Sequence, residues 1–232
     1  MLGESLTVVS IARMMDLSAV QAENNAQYIR QMVAKAKEYG CIAIYPLPAW
    51  VPFTRDALGS DSGILLGGPV GFPSGGHTTS MKVAEARELI EMGCGELDMV
   101  LNIGQLRSGL NQDVYKDIRA VVEAADPVPV KVIMECHHLT RDEILTACDL
   151  SMKAEAAWVK TGTGWPPTGA TVERVRLIKQ HVGDSIQVKA AGGVRDLETL
   201  TALYEAGARR FGVGLNSALK IFKQMAVAGA AE

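Results

Sequence analysis

AAWVKTGTGWPPTGATVERVRLIKQHVGDSIQVKAAGGVRD, residues 156–196, reads as strand, loop, helix and strand. Ala156-Ala157-Trp158-Val159 is a short apolar run of the kind that forms a strand buried on both faces. It ends on Lys160 and passes into Thr161-Gly162-Thr163-Gly164, a turn-forming segment. Thr171 then starts a helix that places Val172, Val175 and Val182 on one face and stops at Gly183. Ile186–Gly193 repeats the first pattern, with an apolar strand, an interior lysine at Lys189 and a Gly192-Gly193 turn. Two strands joined by one helix predict a βαβ unit with parallel, neighbouring strands.

The same alternation continues in both directions. Strands are predicted in VVSIARMMDL (8–17), CIAIYP (41–46), GILLGGPVGF (63–72), GELDMVLNI (95–103), VPVKVIME (128–135) and RRFGVG (209–214). With the two above they make eight, so the 232 residues divide into units of about 29, close to the length of one βαβ step. Between them lie amphipathic helices. TTSMKVAEARELIEMG (78–93) starts on a Thr/Ser cap, sets Val83, Ala86 and Ile90 on one face and stops at Gly93. DLETLTALYEAG (196–207) starts at Asp196, repeats Leu197, Leu200 and Tyr204 and stops at Gly207. The predicted fold is α/β, a (β/α)8 TIM barrel forming one domain over residues 1–232. An open doubly wound sheet, the rival arrangement, usually has fewer strands. Only the tail AVAGAAE (226–232) reads as loose.

Composition narrows the function. Hydrophobic residues at 48% and charged residues at 21% describe an ordinary globular chain. A net charge of −3 offers no basic footprint for nucleic acid. No apolar run is long enough for a bilayer, and the N-terminus lacks the basic and apolar regions of a signal peptide, so no membrane partner is expected. Cys41, Cys94, Cys136 and Cys148 form no CxxC pair, which predicts reduced thiols and a cytoplasmic location.

In a TIM barrel the active site lies at the C-terminal ends of the strands. Those ends offer Asp16 and Ser18, Tyr45, a Gly71-Phe72-Pro73 turn, Asp98 and Asn102, Lys131 with Glu135 and Cys136, Lys160, Lys189, and Gly212-Val213-Gly214. A charge inside a strand is costly unless it is paired or used. Lys131 with Glu135 can be a structural ion pair as readily as a functional one. Lys160 and Lys189 are different: two ammonium groups on neighbouring strands repel, each lowering the other's pKa. That suits a neutral amine that attacks a carbonyl to form a Schiff base. Asp98, directly or through a water, could move the protons.

The glycine-rich ends of the last three strands suggest an anion site. Thr161 and Gly164 follow the sixth strand, Gly192-Gly193-Val194-Arg195 the seventh, and Gly212 and Gly214 the eighth. Backbone N–H groups of these loops form phosphate sites in this fold, and Arg195 could add a charge-assisted contact. Cys136-His137-His138 lacks ligand spacing, because adjacent strand residues point to opposite faces. Trp50, Trp158 and Trp165 read as packing, with Trp165 beside the site.

On these residues the chain resembles the deoxyribose-phosphate aldolase family. RMMDLSAV, IAIYPLPAWVP, the stretch from VGFPSGG to LNIGQLRSG, VKTGTGW and VKAAGGVRD are similar, in order, to that family's segments. The resemblance implies that Lys160 forms an imine with acetaldehyde, that Lys189 depresses its pKa, and that Asp98 with a water relays protons. It implies cleavage of 2-deoxyribose 5-phosphate to acetaldehyde and glyceraldehyde 3-phosphate without a metal or organic cofactor. It also implies small-molecule aldehyde and sugar-phosphate partners, with the substrate held by Asp16, Ser18 and the three glycine loops, and a homo-oligomer, dimeric or tetrameric. The chain departs from the family at Gly162, where serine is usual, and at Gly214-Leu215, where two serines bind phosphate. It also has no tail tyrosine, and Trp165-Pro166-Pro167 stiffens the loop after Lys160. The departures point to the alternative of the same chemistry on a different aldehyde acceptor, phosphorylated or not; a catalytically silent barrel that binds a sugar phosphate is the remaining reading.

Overall fold

The computed structural model describes residues 6–60 and 62–229. Eight strands close a barrel in chain order. They are β1 (Met15–Ala19), β2 (Ala43–Pro46), β3 (Leu65–Val70), β4 (Glu96–Val100), β5 (Val130–Ile133), β6 (Trp158–Lys160), β7 (Gln187–Ala191) and β8 (Arg210–Gly214). Every neighbouring pair is parallel, and β8 returns to β1 with Asp16 opposite Gly212. The helices are α1 (Val8–Ala12), α2 (Ala26–Tyr39), α3 (Val51–Leu58), α4 (Thr79–Glu91), α5 (Ile103–Arg107), α6 (Asn111–Ala125), α7 (Arg141–Lys153), α8 (Val172–Val182), α9 (Leu197–Glu205) and α10 (Leu215–Gly229).

β2, β4 and β5 are buried along their whole length, because helices cover the outside and side chains fill the inside. The helices follow their apolar stripes and caps. Asp196 accepts from the Thr199 N–H, and Thr171 from the Arg174 N–H, each satisfying one orphan donor of a first turn. α8 buries Val175, Ile178 and Val182, with the expected Val172 only half-buried at its start.

Three expectations change. Residues 8–12 are a helix, not the start of the first strand: Thr7 and Ser10 form a capping box, each accepting from the other's backbone N–H, at 3.1 and 2.8 Å. Two satisfied helical donors override the β-branched run. α1 lies at the N-terminal end of the barrel, where Ala12 accepts from the Ile42 N–H. On α4 the fully covered face is Lys82, Ala86 and Leu89, whereas Val83 and Ile90 are half-buried. Finally, the tail continues as helix to Gly229; residues 230–232 of the segment expected to be loose, and residues 1–5 at the N-terminus, lie outside the described residues. No described helix is long and apolar enough to cross a membrane.

Candidate active site

Seven charged side chains fill the barrel from its lower half to its mouth. Parallel register makes Lys160 and Lys189 cross-strand partners and sets Asp98 opposite Lys131. Both Lys160 and Lys189 donate to the same Asp98 oxygen, Oδ2, at 2.7 and 2.6 Å. Lys189 also meets Asp16 at 2.6 Å, and Arg210 joins Asp16 to Glu96 at 2.8 and 2.6 Å. Lys131 pairs with Glu96 at 2.7 Å, lies 3.6 Å from Asp98 and donates to the Tyr45 hydroxyl at 2.6 Å. Lys189 Nζ also stands 4.2 Å from the Tyr45 ring centroid. Thus four cations face three carboxylates, one positive charge too many for a dry interior.

The excess is eased at Lys131 and Lys160, where burial disfavours the ammonium form and lowers the pKa. At Lys160 burial, then the neighbouring Lys189, brings it to about 8 against the opposing pull of Asp98. Lys189 behaves otherwise. Burial disfavours its charge, but Asp16, Asp98 and Glu96 outweigh that and raise its pKa. The expectation that each lysine lowers the other is therefore corrected: the effect runs one way, because Lys189 has two carboxylates in contact and Lys160 has one. Burial also works against the Asp98 carboxylate, yet Lys160, Lys189 and Lys131 hold it well below the usual carboxylate range.

Lys131 does not pair with Glu135. The backbone of Glu135 lies in the left-handed region, φ 55°, just past β5. This turns its buried carboxylate toward the loop after β6, where it accepts from the Thr163 N–H at 3.2 and 3.3 Å and from the Thr163 hydroxyl. The same carboxylate explains Gly162. A Cβ there would lie 2.7 Å from Glu135 Oε1, so the glycine makes room for a protein carboxylate. Its neighbour Gly169 serves a close approach of two loops, since a Cβ would fall 2.4 Å from the Gly192 carbonyl oxygen.

A cavity of about 200 Å³ opens at the mouth, and Lys160 is the one member of the charged cluster that lines it. Gly164 from the loop after β6, Gly192, Gly193, Val194 and Arg195 after β7, and Gly212 and Gly214 of β8 form much of its wall, with Ser18 from β1. Two residues expected at the substrate do not line it. Asp16 is fully buried deeper in the barrel, where both its oxygens meet cations. Thr161 is fully buried, its hydroxyl donating to the Ala191 carbonyl and accepting from the Ala191 N–H, so that it clasps the ends of β6 and β7.

Sequence reasoning missed Thr163, Ser217, and Gln21, Asn24 and Tyr28, all in the cavity wall. The signal for the last group was available: the loop after the first strand belongs to the catalytic rim of any such barrel. Asn102 instead caps α5, accepting from the Gln105 N–H at 3.1 Å. Trp165 ties the rim together. Its indole N–H donates to the Val20 carbonyl at 2.8 Å and its ring stands edge-on to Phe72, centroids 5.9 Å apart. His137 bonds Thr168, Cys136 is buried, and among the described residues no cluster of three or more His, Cys, Asp or Glu could hold a metal ion.

The sequence model described as "DeoC/LacD family aldolase" matches residues 9–224. A deoxyribose-phosphate aldolase of Klebsiella pneumoniae subsp. pneumoniae is 46% identical over 221 residues, covering 94% of this chain and 89% of that one. One from Sinorhizobium medicae is 46% identical over 222 residues, covering 96% and 90%. Among solved structures, the tetrameric deoxyribose phosphate aldolase of Aeropyrum pernix superposes with a TM-score of 0.87 at 26% identity, covering 96% of this chain and 93% of that one. With a match across nearly its whole length and a buried lysine pair at the barrel mouth, the chain belongs to the DeoC/LacD aldolase family.

Proposed function

We propose that this chain is a class I aldolase that reversibly cleaves 2-deoxy-D-ribose 5-phosphate to acetaldehyde and glyceraldehyde 3-phosphate. The observation that carries the proposal is Lys160, lining the cavity with a pKa lowered to about 8. At pH 7 about one-tenth of it is neutral amine, against less than a thousandth for an ordinary lysine. The substrate class is supported by the relatives, which are deoxyribose-phosphate aldolases, and by the glycine loops and Arg195 in the cavity wall.

Neutral Lys160 adds through Nζ to the C1 carbonyl of the open-chain sugar, and the carbinolamine loses water to give an iminium. The C3 hydroxyl gives up its proton, the C2–C3 bond breaks, and its electron pair moves into the iminium, leaving an enamine. Glyceraldehyde 3-phosphate departs, C2 of the enamine takes a proton, and water releases acetaldehyde and restores the amine. Asp98, one hydrogen bond from both lysines, is the group that passes protons between them, and Lys160 is the member of the three that meets the cavity. Asp98 stays ionised and Lys189 stays charged beside it, so loss of the Lys160 proton leaves three cations facing three carboxylates.

Four free, buried cysteines support a reducing, cytoplasmic setting. The tetrameric relative from Aeropyrum pernix supports assembly as a dimer or tetramer. The test is trapping: acetaldehyde followed by borohydride is expected to leave one reduced adduct on Lys160 at pH 7.5, located by mass spectrometry, and none in Lys160→Met. An intact, folded protein that gives no adduct overturns the proposal and leaves a silent barrel.

A further inference from the structure

The end of the cavity formed by β8 and the start of α10 contains a tyrosine from a different part of the chain. Tyr28 lies in the first turn of α2, which follows β1, and β8 is the paired neighbour of β1, with Ser18 opposite Gly214. Asn25 places it: the Asn25 side chain caps α2 by accepting from the Tyr28 N–H at 3.0 Å. From there the Tyr28 hydroxyl reaches the start of α10 and accepts from the Leu215 N–H at 3.0 Å. Among the described residues the hydroxyl donates to no protein group, and Tyr28 lines the same cavity as Arg195 and Ser217. Its one proton is therefore free for whatever occupies that end. Its oxygen also lies 3.7 Å from where a Cβ on Gly214 would be, in ordinary contact. Strand β8 ends at Gly214 and α10 begins at Leu215, neither with a hydroxyl.

From this geometry we infer that Tyr28 is a specificity-determining residue, whose hydroxyl donates to the phosphate of the substrate. The inference rests on the sugar-phosphate reading of the same cavity. A phenol that accepts from a backbone N–H becomes a better donor, because hydrogen bonds in a chain polarise one another. The hydroxyl thus passes the polarity of the first N–H of α10 into the cavity in a side chain that can follow the ligand. Arg195 supplies the positive charge and Tyr28 a directed donor. A hydrogen bond to a charged group is worth about tenfold to a hundredfold in binding.

The experiment compares kcat/KM for 2-deoxyribose 5-phosphate with that for 2-deoxyribose, in the parent enzyme, Tyr28→Phe and Tyr28→Phe/Gly214→Ser. Inorganic phosphate serves as the competing ligand. The parent is expected to favour the phosphorylated sugar. Tyr28→Phe is expected to cut that preference by roughly tenfold or more, mostly through KM, and to weaken inhibition by inorganic phosphate to a similar degree. The double variant, which returns a hydroxyl to the strand side of the same space, is expected to recover part of the preference. A preference in Tyr28→Phe equal to the parent's overturns the assignment. So does an equal loss on both sugars, which would mark Tyr28 as a packing residue. If the parent itself shows no preference for the phosphate, the underlying sugar-phosphate reading falls, and the assignment with it.

Discussion

Lys160 gains reactivity from its surroundings. Burial does most of the lowering, and Lys189 on the paired strand adds to it, so the amine sits near 8. Lys189 stays charged because Asp16 and Asp98 both contact it. Replacing Lys189 removes a positive neighbour and leaves Asp98 free to stabilise the Lys160 ammonium. Lys189→Met is therefore expected to raise the Lys160 pKa and move the pH dependence of borohydride-trapped adduct formation upward by about one unit. The adduct rate should still increase with pH, since the neutral form grows as pH passes through the pKa. An unmoved profile would mean that burial alone tunes Lys160. Gly162 shows the same dependence on surroundings: with its Cβ position 2.7 Å from Glu135, it answers a carboxylate delivered by the end of another strand.

Among the elements, α4 carries an instruction that its apolar pattern hides. Lys82 is completely buried, bonds Asp117 of α6 at 2.6 Å and donates to the Val100 carbonyl at 2.9 Å. It thereby holds the mouth end of β4, two residues beyond Asp98. Asp117 is additionally held by Thr79 at 2.8 Å. Lys82→Met leaves that carboxylate buried without its cation and is expected to cost about 3–5 kcal/mol in urea unfolding. Lys82→Met/Asp117→Leu, which removes both charges, should recover most of the loss; a double variant no better than the single would show that packing volume, not charge, is what the pair supplies. The first helix teaches a related lesson. Val8, Val9 and Ile11 favour a strand by composition, yet two reciprocal bonds between Thr7 and Ser10 make the segment helical.

At the scale of the whole molecule, the barrel encloses an ion network in place of a purely apolar core. Asp16 and Asp98 have pKa values lowered in the folded state: burial opposes their ionisation, and the surrounding cations overcome it. A depressed carboxylate adds stability that is present above its unfolded pKa and is lost as pH falls below it. The urea midpoint is therefore expected to fall steeply from pH 5 to pH 2.5, and to fall less in Asp98→Asn; equal slopes would remove Asp98 from the account. How much of this was legible in the chain follows from the range of the forces involved. Eight apolar runs, spaced by capped helices with glycine stops, determined a closed parallel barrel by themselves, because strand burial and helix capping are local and periodic. They likewise set Lys160 and Lys189 at one end, since neighbouring parallel strands share a direction. Tertiary structure alone decided which carboxylate each cation meets. Lys131 takes Glu96 instead of Glu135, Asp16 goes to the floor instead of the substrate, and Tyr28 reaches Leu215, 187 positions further along the chain. Closing the barrel creates those distances, and a Coulomb or hydrogen-bond energy that depends on ångströms cannot be read from spacing along the chain.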